Sequence, residues 1–94
     1  MIRSFKSKAL KRFWEDGDRS GFNPAHITRI TERLQVIDAA STLEDINQPG
    51  WRFHQLKGAM KGRYSIWVSG NWRITFMWDG QAAESVDVDY IDYH

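Results

Sequence analysis

Between Arg52 and Arg73 the chain carries five cations, Arg52, Lys57, Lys61, Arg63 and Arg73, without one Asp or Glu among them. The same segment holds His54, and the sequence closes on Tyr93 and His94. These are residue types that do chemistry on anions. His54 and His94 are imidazoles with an unperturbed pKa near neutrality, so either can take or give a proton at working pH. Arg73 offers a planar fork of donors that matches a phosphate, and Lys57 offers a point charge. Tyr93 can stack on a base or donate a hydrogen bond. The formal net charge is only +1, because Asp79, Glu84, Asp87, Asp89 and Asp92 follow the basic stretch. The segment, more than the overall balance, therefore suits an anionic partner. Taken singly each residue has a plainer reading: a surface histidine, the polar side of a strand, lysines that solubilise a turn, a frayed end.

The elements that must position these groups are readable from periodicity. With 94 residues the chain is one domain, 1–94, with a single modest core. "SKALKRFWED" places Leu10, Phe13 and Trp14 at helical spacing and runs to Gly17, and "MIRSF" before it reads as a short opening strand. In "FNPAHITRITERLQVIDAA" Asn23 is an N-cap and Pro24 a first helical residue, with Ile27, Ile30, Leu34 and Ile37 as the apolar stripe. A short helical turn is expected from Thr42 to Ile46. After "QPG" the period changes from 3.6 to 2, and "WRFHQL", "RYSIWV", "WRITFMW" and "ESVDVDY" read as four strands with turns at Gly58, Gly62, Gly70 and Gly80. Helices first and a meander afterwards is an α+β pattern.

Alternation assigns the faces. Trp72, Ile74, Phe76 and Trp78 point to the core with Tyr64, Ile66 and Val68, and with Trp51 and Phe53. Arg73, Thr75 and Met77, then Arg63, Ser65 and Trp67, then Arg52 and His54, share the opposite face. Val86, Val88 and Tyr90 are expected on one side of the last strand, alternating with Asp87 and Asp89. A bulge in any strand would flip this. Trp67 on the polar face is a candidate platform for stacking a base. No cysteine is present, so no disulfide supports the fold. No cluster of His, Asp or Glu has metal-ligand spacing, and no cofactor is expected. The N-terminal basic stretch lacks the apolar run of a signal peptide, and no segment is long enough to span a bilayer, so a soluble cytoplasmic protein is expected.

The string "FHQLKG", then "KGRYSIWVSGNWRITFMW", and the closing "DYIDYH", with "MIRSF" at the start and "RLQVIDAA" in the middle, resembles the HigB toxins of bacterial toxin-antitoxin pairs, in the RelE/ParE-like superfamily. The resemblance runs from end to end. It implies a RelE-like fold, with N-terminal helices packed on one face of a small, mainly antiparallel twisted sheet. It also implies a ribosome-dependent mRNA endoribonuclease, neutralised by a HigA-like helix-turn-helix antitoxin through which alone operator DNA is bound, with no membrane partner. By the same resemblance His54, Lys57, Arg73, Tyr93 and His94 belong to the active-site region, and the antitoxin is expected on the helical side, around Leu10 to Trp14, with Arg12 and Arg29 nearby. Cutting RNA without a metal needs a base for the 2′-hydroxyl proton, positive donors for the phosphorane, and an acid for the leaving 5′-oxygen. Arg73 and Lys57 fit the donors, and His54 or His94 the proton transfers. Arg52, Lys61, Arg63 and Trp67 are the residues expected to bind RNA around them. Some HigB-like proteins carry a second arginine where this chain has Ser69, which weakens the phosphate clamp unless Arg63, across the hairpin, supplies the missing charge. A ParE-like gyrase poison and a non-catalytic RNA-binding module are the alternative readings. The grouping of His54, Lys57, Arg73 and Tyr93–His94 speaks for the nuclease.

Overall fold

Ser7 and Gly17 bracket the first helix, α1 (Lys8–Asp16). In the computed structural model, which describes residues 1–93, the Ser7 hydroxyl accepts the Leu10 N–H at 3.0 Å, satisfying one of the donors that a helix start leaves free. Gly17 adopts φ 73°, and its N–H returns to the Phe13 carbonyl. That left-handed residue ends the helix. Asn23 and Pro24 open a 3-10 turn, Pro24–His26, rather than the α-helix itself, and α2 (Ile27–Ala39) continues from it. The side chain of Asn23 caps this turn by accepting the Ala25 N–H. A further 3-10 turn, Leu43–Ile46, is closed by a capping box between Thr42 and Asp45.

Four strands follow, β1 (His54–Gln55), β2 (Tyr64–Ser69), β3 (Trp72–Asp79) and β4 (Glu84–Asp92), forming an antiparallel sheet in the order β1-β2-β3-β4. The expected meander is present, but its first strand is short. Arg52 has φ 52°, which turns the backbone out of extended geometry just before His54. The opening "MIRSF" does not form a full strand either. It meets β4 through isolated parallel bridges from Ile2 to Ser85 and from Phe5 to Val88.

One face of the sheet is closed by the helices. Ile66, Val68, Ile74, Phe76 and Val88 are fully buried there with Leu10, Ile30, Leu34 and Ile37, each contributing about 1.5–3 kcal/mol of transfer free energy. Truncating Leu34 to Ala would cost about 2–5 kcal/mol, because the surrounding sheet and helix can collapse only partly. Trp72 and Trp78 are half-buried at the margins of this core.

The last strand corrects the expected alternation. Thr75 pairs with Asp89 but Met77 pairs with Val86, so Asp87 and Val88 together oppose Phe76. The extra residue is Asp87, at φ 52°. This bulge reverses the parity of what precedes it: Val86 lies with Met77 on the face away from the helices, and Ser85 turns inward and is fully buried. The bulge is held from both sides, as the Ser4 hydroxyl accepts the Asp87 N–H and the Arg63 guanidinium donates to the Asp87 carbonyl.

The C-terminal end of β4 is anchored by aromatics. Tyr90 stacks on Trp72 with centroids 4.7 Å apart, and shares a 2.7 Å hydrogen bond with His26, which is buried. Burial pushes the Tyr90 phenol far above its ordinary range, so it stays neutral. The chain therefore reaches Asp92 and Tyr93 from a fixed point. Among the described residues no helix is long and apolar enough to cross a membrane.

Candidate active site

His54 owes its orientation to the residue two before it. Its Nδ1 lies 2.7 Å from the Arg52 carbonyl, and a carbonyl can only accept, so Nδ1 is the donor, and in the neutral imidazole Nε2 holds the lone pair. The left-handed backbone at Arg52 is what makes that short-range bond possible. His54 is exposed, and Nε2 is the atom able to act as a base.

From His54 the register leads across the sheet. His54 pairs with Ser65 and Ser65 with Thr75, while Arg73, two residues before Thr75 on the same face, pairs with Trp67 and Ile91. Two strand spacings across and two residues along put the His54 and Arg73 backbones about 12 Å apart. A histidine and an arginine reaching toward each other can both touch one phosphate across that span. The Arg73 guanidinium lies 5.6 Å from the ring centroid of Tyr93, whose backbone N–H bonds the Asn71 carbonyl at 2.7 Å.

Arg73 has an uncommon environment. Its Nε and Nη1 are buried and meet no hydrogen-bond partner among the described residues. Buried polar groups normally have partners, and a cation held with free donors is built to receive an anion. The donors belong to a strand whose next residue, Ile74, is locked in the core, so the guanidinium has little freedom to leave.

The other expected residues fall in different places. Lys57 and Lys61 line a depression of about 380 Å³ with Gln55, Leu56 and Gly58. It lies toward the β1–β2 turn, the opposite direction along the sheet from Arg73. Arg63 is a correction. It is 9% exposed and donates from Nη2 to the Thr75 hydroxyl at 3.0 Å and to the Asp87 carbonyl. Burial pulls it below the ordinary guanidinium range, against the pull of the Asp89 and Asp87 carboxylates. It supports the bulge and is not a surface charge that replaces an arginine at Ser69. The reason is local: Ser65 and Thr75 are fully buried, so this part of the polar face is an interior.

Trp67 lies on the same face as expected, but its ring already carries cations. The Arg52 guanidinium is 4.9 Å and that of Arg29 5.4 Å from its centroid. Arg52 is exposed beside it. His94 lies outside the described residues. Asp89 sits on the polar face beside Thr75, where alternation put it, whereas Arg29, expected only on the antitoxin side, reaches the sheet from α2. The Asp89 parity was available in the sequence, since the bulge precedes it, whereas no periodic signal in α2 singles out Arg29. Among the described residues no group of three His, Cys, Asp or Glu could hold a metal ion.

A two-helix layer on a four-stranded antiparallel meander, with a basic and histidine-bearing free face, is the architecture of a small RelE-like toxin. The comparison with known families agrees: residues 3–94 match the HigB-like toxin family, described as the RelE-like toxin HigB of type II toxin-antitoxin systems. Over 94 residues the chain is 42% identical to "Endoribonuclease HigB" of Proteus vulgaris, covering all of both proteins. Against "Toxin HigB-1" of Vibrio cholerae serotype O1 (strain ATCC 39315 / El Tor Inaba N16961) it is 37% identical over 97 residues, covering all of this chain and 98% of that protein. The chain belongs to the HigB-like family of toxins of type II toxin-antitoxin systems.

Proposed function

We propose that this toxin is an endoribonuclease that cuts messenger RNA without a metal, on the face carrying His54, Arg73 and Tyr93. His54 Nε2 takes the proton of a 2′-hydroxyl, and the 2′-oxygen attacks the adjacent phosphorus. Arg73 holds the nonbridging oxygens as their charge grows, a contact worth about a hundredfold or more in rate. The bond to the 5′-oxygen breaks, and the C-terminal pair Tyr93–His94 supplies the proton that this oxygen takes. The products are a 2′,3′-cyclic phosphate and a free 5′-hydroxyl. Lys57 and Lys61 hold the strand on the far side of His54, and Arg52 beside it.

The observation that carries this reading is Arg73, with buried donors that meet no partner among the described residues and a phenol ring beside them. A guanidinium that lacks partners in the free protein gains most from an anion that the substrate brings to it. The protein site is sparse, so we assign alignment of the strand to the ribosome, and neutralisation to a HigA-like helix-turn-helix antitoxin on the helical side of this cytoplasmic protein. Primer extension on message from a translation extract tests the reading. Wild-type protein is expected to create new 5′ ends, and His54→Ala and Arg73→Met to create none. Intact message at toxic concentrations would refute it, and double-strand DNA breaks in cells would point to gyrase instead.

A further inference from the structure

Trp67 is held as a fixed plate. Its Nε1–H donates to the Gly70 carbonyl at 2.9 Å, closing the β2–β3 turn, and its backbone N–H donates to the Trp51 carbonyl at 2.7 Å. The ring carries two guanidiniums, Arg52 at 4.9 Å and Arg29 at 5.4 Å from its centroid. Both arginines are exposed. Among the described residues neither meets a carboxylate within ion-pair distance. Arg29 spends one donor on the Val68 carbonyl, and no hydrogen bond from the Arg52 guanidinium is found among the described residues.

Two like charges gathered on one indole repel each other. The ring quadrupole offsets part of that repulsion, and an anion would reverse it. The plate stands in the same register row as Arg73, one strand away, and the backbone of Arg52 is the carbonyl that orients His54. A strand whose scissile phosphate sits at Arg73 therefore passes this pair. With both guanidiniums stacked on it, the indole is engaged as a cation holder rather than a free base platform.

We propose that Trp67, Arg29 and Arg52 form a second phosphate subsite, which grips the RNA backbone beside the scissile position. It rests on the nuclease reading for its place on the RNA but can fail without it. The subsite is sequence-independent, because a guanidinium on a phosphate reads no base. It recruits a residue of α2 to the RNA face, so the helical layer contributes to substrate binding as well as to the core. An acidic segment of a protein partner would satisfy the same charges, but the shared row with Arg73 and the link to His54 favour RNA.

The test is the salt dependence of binding, measured by fluorescence anisotropy with a labelled, fully 2′-O-methylated RNA oligonucleotide that cannot be cut by 2′-hydroxyl attack, and in parallel with purified ribosomes. Arg29→Gln and Arg52→Gln are each expected to reduce the slope of log affinity against log salt by about 0.7, the single-strand value per phosphate contact, and the double variant by about 1.4. A change with the oligonucleotide supports the subsite on the substrate strand, and a change with ribosomes alone overturns it in favour of a ribosomal RNA contact. Trp67→Phe should retain the slope, and Trp67→Leu should weaken binding with the arginines still in place. An unchanged slope with both RNAs in the folded double variant overturns the proposal, as does an effect confined to binding of the antitoxin. Cleavage of message is scored separately, so an uncut message alongside a changed slope would refute the nuclease and leave the subsite standing.

Discussion

Replacing Arg73 by methionine should make the protein more stable and inactive. The apolar stem of the side chain is kept, so the cross-strand packing against Trp67 and Ile91 changes little. What is removed is a guanidinium with two buried nitrogens that meet no partner among the described residues, a burden of about 1–3 kcal/mol for the unsatisfied group. The contact with the Tyr93 ring is lost too, at about 0.5–1 kcal/mol. The difference favours the variant by about 1 kcal/mol, or about 5 °C in melting temperature for a domain of this size. Activity moves the other way, because a charged donor to the phosphorane has gone, and the rate should fall a hundredfold or more, about 2.7 kcal/mol of barrier. Urea denaturation and message cleavage on the same preparation read the two effects. A variant destabilised by more than about 2 kcal/mol would show that Arg73 is a structural arginine. A variant that cuts at the wild-type rate would remove it from the site.

Arg63→Met should cost about 2 kcal/mol, since the buried Thr75 hydroxyl and the Asp87 carbonyl lose their donor, and adding Thr75→Val should recover part of it in a denaturation series. Among the described residues, deleting Tyr93 and His94 removes the backbone bond from the Tyr93 N–H to the Asn71 carbonyl, so the fold should persist by circular dichroism while cleavage collapses. His94→Gln should be impaired but not dead, which a pH profile of the residual rate would check against wild type. Asp79 and Asp18 are held below the ordinary carboxylate range, Asp79 first by the Ala82 N–H and Asp18 first by the Ser20 N–H. Their contribution is thus present above pH about 4 and is lost as pH falls below it. Asp79→Ala/Asp18→Ala should accordingly flatten the acid limb of a stability-against-pH curve by lowering its neutral end, with the acid end left in place.

The face of β2 and β3 was legible because Ile66, Val68, Ile74 and Phe76 alternate in the sequence and all four are fully buried, the register shift between Trp67 and Ser69 coming only at the end of β2. The α2 stripe was legible for the same reason at period 3.6, and Ser7, Gly17 and Asn23 act as the caps that their types suggest. β4 misled because Val86 looks like a core residue until a bulge at Asp87 shifts its parity, and the Ser4 and Arg63 contacts that hold the bulge come from distant parts of the chain. Arg63 misled similarly. Nothing in "GRYS" shows that Ser65 and Thr75 would be sealed and that an arginine would be needed to satisfy them. Of the candidate site, the shared face of His54, Arg73 and Trp67 was legible from parity, but two of its features were not. The Nδ1 bond that fixes the His54 tautomer needs the left-handed Arg52, and the cation pair on Trp67 needs α2 to lie against the end of β2.

Attack by the substrate's own 2′-oxygen leaves a signature on the cut ends that attack by water does not. Message cleaved in a translation extract should carry 2′,3′-cyclic phosphates and 5′-hydroxyls with wild-type protein. Treatment with a phosphatase that opens cyclic phosphates should then be required before the 3′ ends can be ligated, and Arg73→Met should yield no such ends. Ends bearing a 3′-hydroxyl and a 5′-phosphate would mean that water attacked the phosphorus, and His54 would then not be the base for a 2′-hydroxyl, nor Tyr93–His94 the acid for a leaving 5′-oxygen.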